Sequence, residues 1–330
     1  MEPNGFRSDV ERTPDTLALL ADAIETGSLP LDDVPTDVDR ILLLGMGSSM
    51  YAAGVAAARM RSVGLDAVAE LASSSLLPPP SRRTLVVAVS ATGGSTETVD
   101  AVARYSGRGP VVALTEQPDS PVAQAADLVL PLQAGPELGG VACRSYRHTL
   151  ALLLALGSRF SPAVAVDLGD SCRRAAAATA DLLDRRGDWL PQIADLLDGP
   201  DGSWVCAPAA RMASAQQSAL MLREGPRRPS YACETGDWSH VDVYLTKTLD
   251  YRMLLLSGSA YEPELLRWTA ERGSTVVAVG PSVGAPAEGT AAVLRFPDDA
   301  LDDVRLLTET TVAELVTHRW WSALSSCSSP

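Results

Sequence analysis

The sequence predicts an α/β protein of two tandem domains, each a doubly wound parallel sheet with flanking helices. Two observations carry this. Between residues 40 and 132 lie four short runs: ILLLGMG from Ile41, TLVVAVS from Thr84, PVVALTE from Pro110 and DLVLPL from Asp127. They are rich in Val and Leu and lack period-2 alternation, as strands do when helices cover both faces of a parallel sheet. The second half repeats the scheme with SWVCAPA from Ser203, YRMLLLSGS from Tyr251, STVVAVG from Ser274 and AAVLRFP from Ala291. The last three starts are 26 and 17 residues apart in the first half and 23 and 17 in the second. Such internal similarity marks a duplicated architecture.

Around the runs lie an amphipathic N-terminal helix over Pro14–Glu25, a helical region from Ser171 to Asp198 and a C-terminal helix near Leu301–Leu324. The last carries Trp320 and Trp321 and leads into the polar tail SSCSSP, which is expected to fray. The expected division is an N-terminal helical segment over 1–35, a first domain over 36–165, a helical linker over 166–198 and a second domain over 199–330. Each domain is expected to be flavodoxin-like.

Composition narrows the function. A formal charge of −14 opposes nucleic acid or an anionic membrane as partner. The longest apolar run, around Leu150–Leu156, is too short to span a bilayer, and the N-terminus has no apolar signal core, so the expected location is cytoplasmic. Cys143, Cys172, Cys206, Cys233 and Cys327 form no C-x-x-C pair, so neither a zinc site nor a disulfide framework is indicated, and His148, His240 and His318 have no H-x-x-x-H spacing, so no metal site is expected. Lys247 is the sole lysine, and a Schiff-base mechanism would have to use it.

In open parallel sheets ligands bind beyond the carboxyl ends of strands. After the first run comes Gly45-Met46-Gly47-Ser48-Ser49-Met50. Its GxG invites a dinucleotide, but Met50 stands where that fingerprint has Gly, and no acidic residue is evident at the end of a second strand. After the second run, Ser90, Thr92, Ser95 and Thr96 interleave with Gly93 and Gly94 before a helix over Glu97–Arg104. Glycines allow backbone N–H groups to approach an anion, hydroxyls donate to phosphate oxygens, and the helix dipole adds its positive end. The plainer alternative is a Ser/Thr N-cap, for which one hydroxyl suffices. In the second half the corresponding loop, Ser257-Gly258-Ser259-Ala260-Tyr261-Glu262, has lost the hydroxyl cluster and gained a carboxylate that would repel phosphate.

With GMGSS, SATGGST, the doubled domains and a later Glu…His pair, the chain resembles the sugar isomerase (SIS) domain family. In layout it is similar to the isomerase half of glucosamine-6-phosphate synthase over about residues 36–320. The resemblance implies that Ser90, Thr92 and Ser95, with Thr96 beside them, bind a sugar phosphate. It implies that Gly47, Ser48 and Ser49 approach the sugar, joined by Cys143, Arg144 and Ser145 of Gly140–Ser145, which resembles the family's GVAST stretch. It also implies that Glu224 moves the proton between C1 and C2 and that His240, sixteen residues on, assists ring opening. His240 would do so from the neighbouring subunit of a homodimer.

Gly225-Pro226 must end a helix at Glu224, where the dipole disfavours a carboxylate and should raise its pKa. The alternative for Glu224 is a surface carboxylate paired with Arg223 or Arg227; for His240 it is a core or interface histidine. The chain departs from the synthase at Met221, where a lysine would stand, in lacking a C-terminal lysine in Ser325–Pro330, and at His240-Val241-Asp242 in place of H-G-P. It has no nucleophilic cysteine near residue 1, so glutamine-dependent ammonia transfer is not expected. The leading expectation is aldose–ketose isomerisation of a phosphosugar, or isomerisation or deamination of an aminosugar phosphate, through an enediol; such a route needs a base and hydrogen-bond donors, so no metal or organic cofactor is expected. A sugar-phosphate sensor without turnover and an aminosugar-phosphate etherase or lyase are the other readings.

Overall fold

Each of the eight apolar runs is a strand in the computed structural model, which describes residues 1–281 and 289–327, without the side chains of 326 and 327. In chain order the first half comprises α1 (Pro3–Glu11), α2 (Thr13–Glu25), β1 (Arg40–Gly45), α3 (Ser48–Ser62), β2 (Ala67–Leu71), β3 (Thr84–Val89), α4 (Thr96–Ala103), β4 (Val111–Thr115), α5 (Pro121–Gln124), β5 (Leu128–Pro131) and α6 (Arg144–Ser158). There follow α7 (Leu168–Asp184), α8 (Arg186–Leu197), β6 (Ser203–Ala207), α9 (Met212–Glu224), β7 (Ser230–Glu234), α10 (Thr235–Trp238), β8 (Arg252–Leu256), α11 (Glu262–Glu271), β9 (Thr275–Val279), β10 (Ala292–Leu294), α12 (Asp302–Thr308) and α13 (Thr310–Cys327).

Sheet 1 is ordered β2-β1-β3-β4-β5 and sheet 2 β10-β9-β8-β6-β7, with every pairing parallel. Counted within each half, both sheets have the flavodoxin-like order 2-1-3-4-5. β3, β4 and β6 are buried along their whole length, which is why they read as continuous apolar runs.

The sequence reading missed the second strand of each half. β2 (AVAEL) and β7 (SYACE) are edge strands whose sequences include Glu70 in β2 and Ser230, Tyr231 and Glu234 in β7, so neither stands out as an apolar run. β2 also corrects one step of the dinucleotide argument: an acidic residue, Glu70, does lie near its end, in register with Leu44 of β1. The expected helical region over Ser171–Asp198 comprises α7 and α8, and the expected C-terminal helix is two, α12 and α13. Of the tail expected to fray, 325–327 continue α13, while 328–330 lie outside the described residues.

The chain forms two compact units. One holds Asp15–Pro136 and Ala142–Arg173 with sheet 1; the other holds Met1–Pro14, Glu137–Val141 and Arg174–Pro330 with sheet 2. The N-terminal segment and the helical linker therefore divide between them. In the unit with sheet 2, Phe6 of α1 lies 6.0 Å from the Trp321 ring of α13. In the other, Arg173 bridges Asp22 and Glu25 of α2. Among the described residues no helix is long and apolar enough to cross a membrane.

Candidate active site

In sheet 1 the chain leaves β1 toward β2 and β3 toward β4, on opposite sides of the β1–β3 pair. This is the switch point at which a crevice opens beyond the carboxyl ends of the strands. Leu44 pairs with Ala88, so the loops after the two strands emerge side by side. Gly47 caps α3 with φ of 51°, and half-buried Ser48 and Ser49 begin that helix.

The 90–95 loop is tightly built. The Ser90 N–H donates to Leu114 O (3.0 Å), and the Gly93 N–H turns back to Ser90 O (2.9 Å). Gly93 has φ of 65°, and a Cβ there would stand 2.0 Å from Ser120 Oγ. Only glycine satisfies both constraints. Ser90 is buried, Ser95 is half-buried, and Thr92 and Thr96 are exposed. Ser95 occupies the N-cap of α4, yet its hydroxyl caps no backbone N–H. It donates instead to Glu97 Oε2 (2.9 Å) and accepts from Thr98 Oγ1 (3.2 Å). The Glu97 backbone N–H and the Ser95 hydroxyl hold the Glu97 carboxyl below its usual range. The start of α4 thus stabilises negative charge, here that of the Glu97 carboxylate, with which a phosphate would compete for the Ser95 hydroxyl.

Gly93→Ala should displace this loop, because the new methyl has neither the φ nor the space. The expected result is a loss of about 1–3 kcal/mol of stability and a rise of at least about tenfold in the Kd for a hexose phosphate. Gly94→Ala, whose Cβ would meet only Thr92 O at 4.0 Å, should leave both nearly unchanged. Calorimetric titration and thermal melts of the two variants check this.

The 140–145 segment has a different character. Cys143, Arg144 and Ser145 are all buried at the start of α6. The Arg144 guanidinium donates to the carbonyls of Ala134 and Pro136, while Glu116 accepts from the N–H groups of Ala134 and Gly135. Arg144 and Glu116 together hold the backbone of residues 134–136. His148, one turn further along α6, places Nδ1 2.8 Å from Leu132 O, and burial lowers its pKa to about 4. It is neutral at physiological pH.

At the equivalent switch point of sheet 2, the protein's own charges occupy the loops. The Gly258 N–H donates to Glu262 Oε2 (2.7 Å), so a buried carboxylate at the start of α11 takes the hydrogen bond that an anion would accept. Arg211, after β6, donates from Nε to Glu309 (3.1 Å), from Nη1 to Asp302 (2.8 Å) and from Nη2 to Ser257 O. Arg305 donates to the same Ser257 O (3.1 Å) and to Asp302 (2.8 Å). Sequence reasoning found the carboxylate at Glu262; the cluster around it joins residues about fifty to a hundred positions apart and left no local signal.

α9 ends at Glu224, as Gly225-Pro226 requires. The carboxylate is half-buried and has no ion-pair partner among the described residues. Arg223 turns its Nε onto Ala219 O (3.3 Å). Burial raises the Glu224 pKa; Arg223 opposes the shift and Glu137 adds to it. Desolvation, rather than the helix dipole invoked from sequence, is therefore the leading cause. His240 is exposed, between α10 and a 3-10 turn over Asp242–Lys247, and its N–H donates to Asp237 O (2.8 Å). Because β7 runs parallel to β6, α9 must return to the amino edge of sheet 2, and Glu224 lies there. His240 follows the carboxyl end of β7, which at five residues spans about 13 Å. The two residues are not brought together within one chain.

A cavity of about 680 Å³ opens elsewhere, at the amino edge of sheet 1, lined by Val34–Val38, Arg82, Gly107–Pro110 and Asp127. It lies across sheet 1 from the Ser/Thr loop, at the opposite ends of the strands. Among the described residues no group of His, Cys, Asp and Glu could hold a metal ion.

Residues 36–159 match the SIS domain family. That match takes in β1 to α6, and over both sheets the chain shares its fold with the solved structures described below. It is similar to the isomerizing glutamine–fructose-6-phosphate aminotransferase of Aeropyrum pernix (26% identical over 264 residues, 74% of this chain and 41% of the relative). The enzyme of that name from Streptococcus pneumoniae serotype 4 is 24% identical over 307 residues, 88% of this chain and 50% of the relative. The chain spans half or less of the length of these curated relatives.

Among solved structures, the C-terminal domain of glucosamine-fructose-6-phosphate aminotransferase from Francisella tularensis has a TM-score of 0.81 at 13% identity, covering 98% of this chain and 96% of that one. Tagatose-6-phosphate ketose/aldose isomerase from Escherichia coli gives 0.77 at 17% identity, covering 97% and 93%. Glucosamine-6-phosphate deaminase from Thermotoga maritima gives 0.68 at 17% identity, covering 97% and 95%.

Proposed function

We propose that the protein is a phosphosugar isomerase acting through an enediol, on a hexose phosphate or an aminosugar phosphate. Ser90, Thr92, Ser95 and Thr96 anchor the phosphate, Ser48 and Ser49 approach the sugar, and Glu224 transfers the proton between C1 and C2. The observation that carries the catalytic reading is Glu224: a carboxylate freed of ion pairs, half-buried, with its pKa raised toward the range a general base needs. Met221 is buried three residues earlier, and exposed Lys247 lies over the Tyr244 ring (5.5 Å), so the proposed route forms no imine.

A thermal-shift screen against hexose and hexosamine 6-phosphates, followed by NMR of each stabilising compound, tests this. Stabilisation with conversion is expected. Stabilisation without conversion would make the chain a sugar-phosphate sensor, the reading favoured by the absence of an amine at position 221.

The separation of Glu224 and His240 across β7 supports a homodimer in which His240 serves the site of the neighbouring subunit. Co-expressing Glu224→Gln and His240→Asn chains, each poorly active alone, should restore one intact site per mixed dimer. Mixtures no more active than the two parents would show that both residues act in the same chain.

A further inference from the structure

In the unit that carries sheet 2, α1, α8 and α13 enclose a cavity of about 360 Å³, within the size range of small-molecule sites. Arg7, Arg186 and Arg319 line it, an unusual concentration of positive charge in a chain of net charge −14. One carboxylate answers them. Arg7 Nε and Arg186 Nη2 both donate to the same oxygen, Glu11 Oε1, at 2.9 and 3.1 Å. Arg319, exposed on α13, has no ion-pair partner among the described residues. Three guanidiniums against one carboxylate leave a charge of +2 facing the cavity.

The rest of the lining suits a bound molecule. Leu190 and Leu315 give an apolar floor, and Ser322 offers a hydroxyl, 3.0 Å from His318 Nε2. Gly187 brings the first turn of α8 to the wall, and the N-cap residue of that helix, Arg185, makes no side-chain cap. Burial, with Arg7 and Arg186, holds His318 below its ordinary pKa, so the histidine does not add to the positive charge of the arginines at neutral pH.

We propose that this cavity is a second anion site, which takes a small phosphomonoester on Arg7, Arg186 and Arg319. A phosphomonoester carries about −1.5 to −2 charges at neutral pH and so matches the excess of two, whereas a monocarboxylate would leave one arginine uncompensated. Guanidinium forks also fit phosphate oxygens in pairs. These residues are separate from the 90–96 loop, and the site does not depend on turnover there.

His318 reports on it directly, since the chain has only three histidines. In protein labelled with ¹⁵N-histidine, titration with inorganic phosphate and with phenyl phosphate should move the His318 ring signals to saturation, and acetate should not. Arg319→Gln should weaken the phosphate titration about tenfold, the loss of one charge-assisted hydrogen bond. Glu11→Gln should tighten it, because the carboxylate that competes for Arg7 and Arg186 is gone. A Gly93→Ala chain, with its phosphate loop disabled, should titrate at His318 like the parent. His318 signals that stay still up to about 50 mM phosphate, a Kd range too weak for a built site, or that move identically in Arg319→Gln, overturn the proposal.

Discussion

Glu224→Gln should lower turnover of the sugar phosphate by about 10²–10⁴-fold, the usual contribution of a positioned general base, while leaving the Kd within a few-fold. The protein should not be destabilised. Burial raises the Glu224 pKa above its ordinary value near 4.5, so the folded state binds this proton more tightly than the unfolded chain does. The corresponding stability is fully present below the ordinary value and is lost as pH rises through the raised one. At neutral pH the ionised carboxylate is therefore a liability, and a neutral amide of the same shape should match or exceed the parental Tm. Loss of activity with an unchanged or higher Tm separates catalysis from folding. The same shift sets the acid limb of kcat/KM, which should fall with a midpoint above 4.5 in the parent. Rates and melts of both proteins across pH 4–8 check each part.

The largest effect on stability should come from Arg211→Ala. Arg211 and Glu309 are 2% and 1% exposed, and removing one member of a buried pair costs about 3–5 kcal/mol because the other charge is left without compensation. The Glu309 carboxyl is already pushed up by burial against the pull of Arg211, so in the variant it can escape by taking a proton. Protonating an ordinary carboxyl at pH 7 costs about 3 kcal/mol, which caps the electrostatic part of the loss. The unit carrying sheet 2 should therefore melt about 10 °C lower at pH 7, and the gap should narrow as pH falls. Arg211→Met combined with Glu309→Leu should recover most of the loss. If the sheet 2 loops have no role in binding the substrate phosphate, the Kd for sugar phosphate should stay near the parental value in all of these variants. Scanning calorimetry with ligand titration decides it.

The parts of the fold that were legible from sequence share a physical cause. Strands covered on both faces are largely apolar, so β1, β3, β4, β6, β8 and β9 announced themselves as apolar runs. β2 and β7 did not, because Glu70 in β2 and Ser230, Tyr231 and Glu234 in β7 break the apolar pattern, whereas the other two edge strands, β5 and β10, keep it. The Ser/Thr loop was visible because glycine and hydroxyl chemistry is local. Ser95, the natural candidate for a plain cap, instead gives its hydroxyl to Glu97, a distinction that needed coordinates. The sixteen-residue spacing of Glu224 and His240 gave no sign of the strand β7 that lies between them. The strand puts them on opposite edges of sheet 2. The Arg211–Glu309 pair spans 98 positions and depends on α9 and α13 packing together, which no sequence window contains.

The most direct test of the proposed chemistry is solvent exchange. The protein is incubated in D₂O with the hexose or hexosamine 6-phosphate that stabilises it most, and the sugar is examined by NMR. Proton transfer through an enediol by Glu224 predicts deuterium at C2 of the aldose or C1 of the ketose, arising with conversion and absent in Glu224→Gln. Conversion without deuterium at either carbon in the parent, or exchange that persists undiminished in Glu224→Gln, would contradict it.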